Sequence, residues 1–146
     1  MFRTAALLAT GLVLTGVAAT TAAFASTDDL IRPLDPTSSS LDSYRWDARP
    51  VLIFAPSTDD PTYRDAIARL DTARADLRDR DIVVLTDTSP DTASPIRKGL
   101  GAEGFTMLLV GKDGGVKTRS DEVIAPETLF ATIDRMPMRQ REVRQD

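Results

Sequence analysis

With 146 residues, 18 Lys and Arg against 22 Asp and Glu, and neither Cys nor His, the chain has room for one domain and lacks two common catalytic side chains. Disulfides, thiol redox centres, thiolate nucleophiles, Ser-His-Asp triads and His- or Cys-based zinc sites are all excluded. A net charge of −4 and scattered aromatics also argue against nucleic acid, whose binders need a dominant basic face.

Residues 1–25 read as an export signal. Arg3 is a short positive region, Ala5 to Ala19 an apolar run relieved only by Thr and Gly, and Ala23-Phe24-Ala25 the small-x-small pattern that signal peptidase reads. That run is shorter than the roughly 20 apolar residues of a spanning helix, so cleavage after Ala25 is expected in preference to a retained anchor. Loss of Arg3 leaves 17 basic residues against 22 acidic ones, a net charge of −5. The mature protein is expected to be periplasmic or secreted, with no membrane contact after cleavage.

Residues 26–40 contain acids, two prolines and the run Thr37-Ser38-Ser39-Ser40, which predicts a flexible lead-in. Leu41 to Trp46 fits a short helix capped by Ser40, with Tyr44 and Trp46 sealing the sheet edge. The next stretch organises the chain. Val51-Leu52-Ile53-Phe54-Ala55 is continuously apolar and bounded by prolines, as a central strand buried on both faces would be. Asp60 then stands at an N-cap position and Pro61 at the first helical position. A helix is predicted to about Asp79, with Tyr63, Ile67, Leu70, Ala73 and Leu77 in one apolar stripe and alternating charges elsewhere. Asp81 to Thr86 is a second buried strand, completing a βαβ unit with parallel pairing and a right-handed crossover.

Ser94-Pro95 opens a short predicted helix through Leu100. Gly99, Gly101 and Gly104 follow the spacing G-x-G-x-x-G but precede a strand, so they do not form a dinucleotide motif. Phe105 to Val110 and Val116 to Arg119 read as strands joined by Gly111-Lys112-Asp113-Gly114-Gly115, a hairpin signal that makes them antiparallel, the second an edge. Ala125-Pro126-Glu127 starts a helix with Leu129, Phe130 and Ile133 facing the sheet, limited by Pro137. Arg135, Arg139, Arg141 and Arg144 beyond it are set against only Glu142 and Asp146, the one basic cluster of an acidic chain.

Tyr44-Arg45-Trp46, Phe54-Ala55-Pro56, Arg80-Asp81, Gly111-Lys112-Asp113-Gly114-Gly115-Val116-Lys117 and Met136-Pro137-Met138-Arg139-Gln140-Arg141-Glu142 carry a closer match. From about residue 41 to 142 the chain resembles a family of thioredoxin-like domains of unknown function. Bacterial members are small exported proteins, and related domains are similar to parts of vertebrate sushi-repeat-containing matrix proteins. The resemblance implies an α/β, thioredoxin-like fold: a four-stranded mixed sheet, a βαβ unit then ββα, with helices on both faces. The expected organisation is a signal peptide at 1–25, a linker at 26–40, the domain at 41–142 and a tail at 143–146. The resemblance carries no activity. Redox-active thioredoxins place C-x-x-C at the end of the first strand and keep a cis-proline ahead of the third. Here Ser57 and Asp60 stand at the cysteine spacing, and Gly104 precedes Phe105.

The expected function is therefore a non-catalytic binding or adaptor module, unable to perform thiol-disulfide or Cys-dependent peroxidase chemistry, with no cofactor, no metal and no catalytic residue assigned. Its candidate binding residues are Ser57, Thr58, Asp59, Asp60 and Arg64 after the first strand, and Lys112, Asp113, Lys117, Arg139, Arg141 and Glu142. The cations among them suit a carboxylate or phosphate, so the expected partner is a small anionic ligand or a protein. Against this stands solvation or pairing of the same charges with neighbouring acids. The alternatives are a carboxylate-dependent enzyme, with Asp59 or Asp60 as base and Tyr63 or Arg64 assisting, and a divalent cation held by Asp59, Asp60 and Asp113. A helix N-terminus favours the charged carboxylate, which opposes the first, and no calcium-loop spacing supports the second.

Overall fold

Five strands share one mixed sheet in the computed structural model, which describes residues 29–146; the expected export signal lies outside them. The strands are β1 (Ile31–Pro33), β2 (Arg49–Phe54), β3 (Ile82–Asp87), β4 (Thr106–Val110) and β5 (Val116–Ser120), in the spatial order β1-β3-β2-β4-β5. The continuously apolar stretch lies at the centre: every residue of β2 is buried, between parallel β3 and antiparallel β4.

Because successive strand residues point to opposite faces, β2 feeds two cores. Val51 and Ile53 pack with Ala66 and Leu70 of α1 (Pro61–Thr72), Leu77 of α2 (Arg74–Asp79) and Leu129 and Ile133 of α4 (Pro126–Asp134). On the other face Leu52 and Phe54 pack with Ile96 of α3 (Pro95–Leu100), Ala102 and Leu34, and Tyr44 borders them. Ser94 caps α3 by accepting from the amide of Arg97 at 3.1 Å, and Gly101 ends it in the left-handed conformation at φ 60°. The hairpin closes through a bond from the Gly111 amide to the Gly115 carbonyl.

Several local expectations are corrected. Residues 31–33, in the stretch read as a flexible lead-in, form β1, paired in parallel with Val84, Leu85 and Thr86. The predicted 61–79 helix breaks at Ala73, where the Thr72 hydroxyl donates to the Arg69 carbonyl at 2.8 Å and competes with the helical ladder. The helix at Leu41 to Trp46 is one 3-10 turn, Asp42–Tyr44, and Trp46 does not seal the sheet: it stands 62% exposed, at φ 69°. Pro137 ends one helix and begins another. Its fixed φ suits a first helical turn, so the arginine-rich tail is α5 (Pro137–Gln145).

Candidate functional site

The residues singled out after β2 and those near the C-terminus fall at opposite ends of the sheet. At the carboxyl end of β2, the Asp60 carboxylate accepts from the Tyr63 amide at 2.8 Å and so serves as the cap of α1. Asp59 pairs with Arg64 at 2.9 Å, both side chains largely in water, and Ser57 and Thr58 are exposed. Asp113 follows β4, which runs antiparallel to β2, so it lies beside the start of β2 and away from Asp59 and Asp60. The cation site of three aspartates is therefore not assembled. No group of three or more His, Cys, Asp or Glu among the described residues is placed to hold a metal ion.

The same end holds a pair that the sequence did not disclose. Asp87, last in β3, accepts from Arg97 at 3.0 Å and from the Ser94 hydroxyl at 3.1 Å, and Arg97 also donates to the Ala55 carbonyl at 3.0 Å. Arg97 is buried and Asp87 nearly so, and the guanidinium lies over the Phe54 ring. The pair ties the ends of β2 and β3 to the start of α3. Thr58, Tyr63, Asp87 and Thr92 line a neighbouring cavity of about 370 Å³.

At the other end, segments distant in sequence converge. The Trp46 amide donates to the Lys112 carbonyl at 2.7 Å and Arg45 Nε to the Asp113 carbonyl at 3.1 Å, fastening the Tyr44-Arg45-Trp46 segment to the hairpin loop. Lys112 Nζ donates to Asp81 at 2.8 Å and to Glu142 at 2.7 Å. Arg49, at the start of β2 and only 1% exposed, grips both oxygens of Glu142 at 3.1 and 3.2 Å and donates to the Arg80 carbonyl at 2.9 Å. Arg80 in turn binds both oxygens of Asp134 at 2.9 and 3.0 Å and lies over the Phe130 ring.

Glu142 is thus the junction between α5 and the sheet. Burial pushes its carboxyl up, but the bonds from Lys112 and Arg49 outweigh that and hold it below the usual carboxylate range. Lys112 is the mirror case: burial pushes the ammonium down, and Asp81 and Glu142 together raise it above its ordinary value. Arg139 is buried as well. It binds the Asp79 carboxylate and carbonyl, so it anchors α5 to the end of α2 and is not open to a ligand as expected. Arg49 itself gave no sequence signal, since a charged residue before a strand ordinarily reads as a solvated boundary.

Beside this junction lies a cavity of about 270 Å³. Arg49, Lys112, Lys117 and Arg141 supply its cationic lining, Asp113 a carboxylate, and Met136, Pro137 and Met138 an apolar wall. Lys117 is held to Asp113 at 2.8 Å, and a bond from Lys117 is the largest of the causes that lower the Asp113 carboxyl below its ordinary value. Gly111 lets the Lys117 stem approach: a Cβ there would stand 2.6 Å from Lys117 Cε. Arg49 Nε is buried without a hydrogen-bond partner. Of the candidates, then, Lys112, Asp113, Lys117 and Arg141 meet around one cavity, Arg139 and Glu142 hold the adjoining helix in place, and Ser57, Thr58, Asp59, Asp60 and Arg64 belong elsewhere.

Comparison with known proteins places this arrangement on a familiar scaffold. A sequence family described as a domain of unknown function (DUF4174) matches residues 40–142. Among solved structures, reduced desulfothioredoxin from Desulfovibrio vulgaris Hildenborough is similar at a TM-score of 0.54 and 17% identity, over 74% of this chain and 99% of that one. Reduced 2-Cys peroxiredoxin from Plasmodium vivax is similar at 0.54 and 14% identity, over 70% of this chain and 84% of that one. At such identities the likeness shows the thioredoxin-like fold, as expected from the sequence, the short β1 being added to the four expected strands. No curated protein matches the chain by sequence.

Proposed function

We propose, for a chain that belongs to the DUF4174 family of domains of unknown function, the role of a non-catalytic module that binds small anions in the cavity beside α5. Without cysteine the thioredoxin-like scaffold performs no thiol redox chemistry. The observation that carries the reading is the convergence of four cations, Arg49, Lys112, Lys117 and Arg141, on one cavity, with the Arg141 side chain exposed and bonded only to its own helix. Guanidinium and ammonium groups form charge-assisted bonds to carboxylate and phosphate, and a partly dry site strengthens them. At the other end of the sheet Asp60 is committed to its cap and Asp59 to Arg64, which favours binding over carboxylate catalysis there.

The module works outside the cytoplasm in this reading, in the periplasm or secreted, as one of a group of small exported bacterial proteins. Support comes from the pattern of Arg3, the Ala5–Ala19 run and Ala23-Phe24-Ala25. A relation to domains of sushi-repeat-containing matrix proteins fits the same setting.

The test is a thermal-shift screen of residues 26–146 against phosphate, sulfate, small carboxylates, nucleotides and calcium. Free ligand at 100 times its dissociation constant stabilises by about 2.7 kcal/mol. An anion is expected to raise Tm, the rise to fall to about half in Arg141→Gln, and Asp59→Ala to leave it unchanged. No response to any anion, or a response that Arg141→Gln does not touch, overturns the reading.

A further inference from the structure

We infer that the cavity selects a monocarboxylate with an apolar body over an inorganic oxyanion; this rests on the anion-binding reading above. The first argument is charge. Arg49, Lys112, Lys117 and Arg141 are set against three carboxylates in direct contact with them: Asp113 on Lys117, Asp81 on Lys112, and Glu142 on both Arg49 and Lys112. Arg139, also 3.8 Å from Glu142, is matched by its own partner Asp79, so one positive charge is left over. A singly charged ligand neutralises it, whereas sulfate or a doubly ionised phosphate would leave an excess negative charge in a partly buried space, which is costly.

The second argument is the division of donors. Arg49, Lys112 and Lys117 already hold acids, while Arg141 makes one hydrogen bond among the described residues, from Nε to the Pro137 carbonyl of its own helix at 3.3 Å. Its terminal nitrogens form a fork matched to the two oxygens of a carboxylate. The third is the wall. The side chains of Met136, Pro137 and Met138 offer no donor to a compact oxyanion, and an inorganic ion would leave them wet; an alkyl or aryl body would cover them, and methionine adapts to irregular shapes. About 270 Å³ accommodates a ligand of roughly ten non-hydrogen atoms at about 30 Å³ of liquid volume per water-sized group.

The experiment is isothermal titration of residues 26–146 with acetate, butyrate, hexanoate and octanoate below micellar concentrations, with hexanol, sulfate and phosphate as comparators. Each added methylene is expected to tighten binding roughly fourfold until the cavity is filled, the equivalent of about 0.8 kcal/mol per methylene. Hexanol and sulfate are expected to bind at least tenfold more weakly than hexanoate. Arg141→Gln should weaken every carboxylate about tenfold with no change in the unliganded Tm, since the side chain is exposed and bonds only within α5. Met138→Ala should flatten the dependence on chain length while leaving acetate unchanged. Tighter binding of sulfate or phosphate, or affinity independent of chain length, overturns the selectivity but leaves the anion site standing. Hexanol binding as well as hexanoate overturns the carboxylate requirement. No binding by any anion overturns the site itself.

Discussion

Replacing Glu142 with Ala removes the one carboxylate that Arg49 grips and one of two that Lys112 holds. Breaking a buried pair by deleting one partner costs about 3–5 kcal/mol where the remaining charge is left uncompensated. Here the cost is reduced. Arg49 keeps the Arg80 carbonyl, Lys112 keeps Asp81, and the Glu142 side chain is 25% exposed, so water enters on that side. About 2–3 kcal/mol is expected, a fall in Tm of about 6–12 °C at roughly 3–4 °C per kcal/mol for a domain of this length. Urea unfolding monitored by circular dichroism measures it. The dependence on pH identifies its origin. Glu142 is held below its ordinary value of 4.5 in the folded protein, so its stabilisation is present above about pH 4.5 and is lost as pH falls through the folded value. Wild type and Glu142→Ala should therefore converge in acid. Lys112 is raised above 10.5, so its contribution is complete below that pH and is lost as pH rises through the folded value. With one partner gone, the alkaline loss should begin at lower pH in the variant. A cost below 0.5 kcal/mol at pH 7, or one that persists unchanged in acid, would refute the assignment of Glu142 as the junction.

Asp87→Asn removes the counter-charge of buried Arg97 at the far end of the sheet, and a loss of about 3 kcal/mol in urea unfolding is expected. Asp60→Ala should cost about 1 kcal/mol through the lost cap, while Asp59→Ala should stay within about 0.5 kcal/mol because its pair with Arg64 is solvated. Equal losses would assign Asp59 a role beyond that pair. Trp46 is 62% exposed and left-handed, so Trp46→Asn, which tolerates that conformation, should leave stability equal or raise it by up to about 1 kcal/mol. Destabilisation by more than 1 kcal/mol would instead show the ring to be a structural contact.

Elements built on short-range rules were the ones legible in the sequence. The apolar run at Val51 to Ala55, the Asp60-Pro61 and Ser94-Pro95 starts, and the glycine hairpin each signal through propensity and neighbours alone, and each stands where it was expected. Long-range partnership was not legible. Leu30, Ile31 and Leu34 are too few and too diluted by prolines to announce β1, which exists because the β3 edge accepts it. α5 has no adequate apolar stripe; its one buried residue is Arg139, and what holds it is charge met across the fold. Lys112, Lys117 and Arg141 were named as cations of the candidate site, but Asp59, Asp60 and Asp113 were weighed as one cation site although β4 runs against β2 and carries Asp113 to the other end of the sheet.

The fastening of α5 by ion pairs also bears on the order in which the molecule comes apart. Leu129 and Ile133 keep α4 within the apolar core, so α5 can lift away without opening either core, as a local unfolding unit of its own. Partly exposed ion pairs weaken with salt while apolar packing does not, so ionic strength should set how often the last ten residues leave. Met138 and Arg141 travel with that segment, and the cavity exists only while it is seated. A ligand held there would then act as a clasp, slowing amide exchange through Pro137–Gln145 while the strands exchange as before.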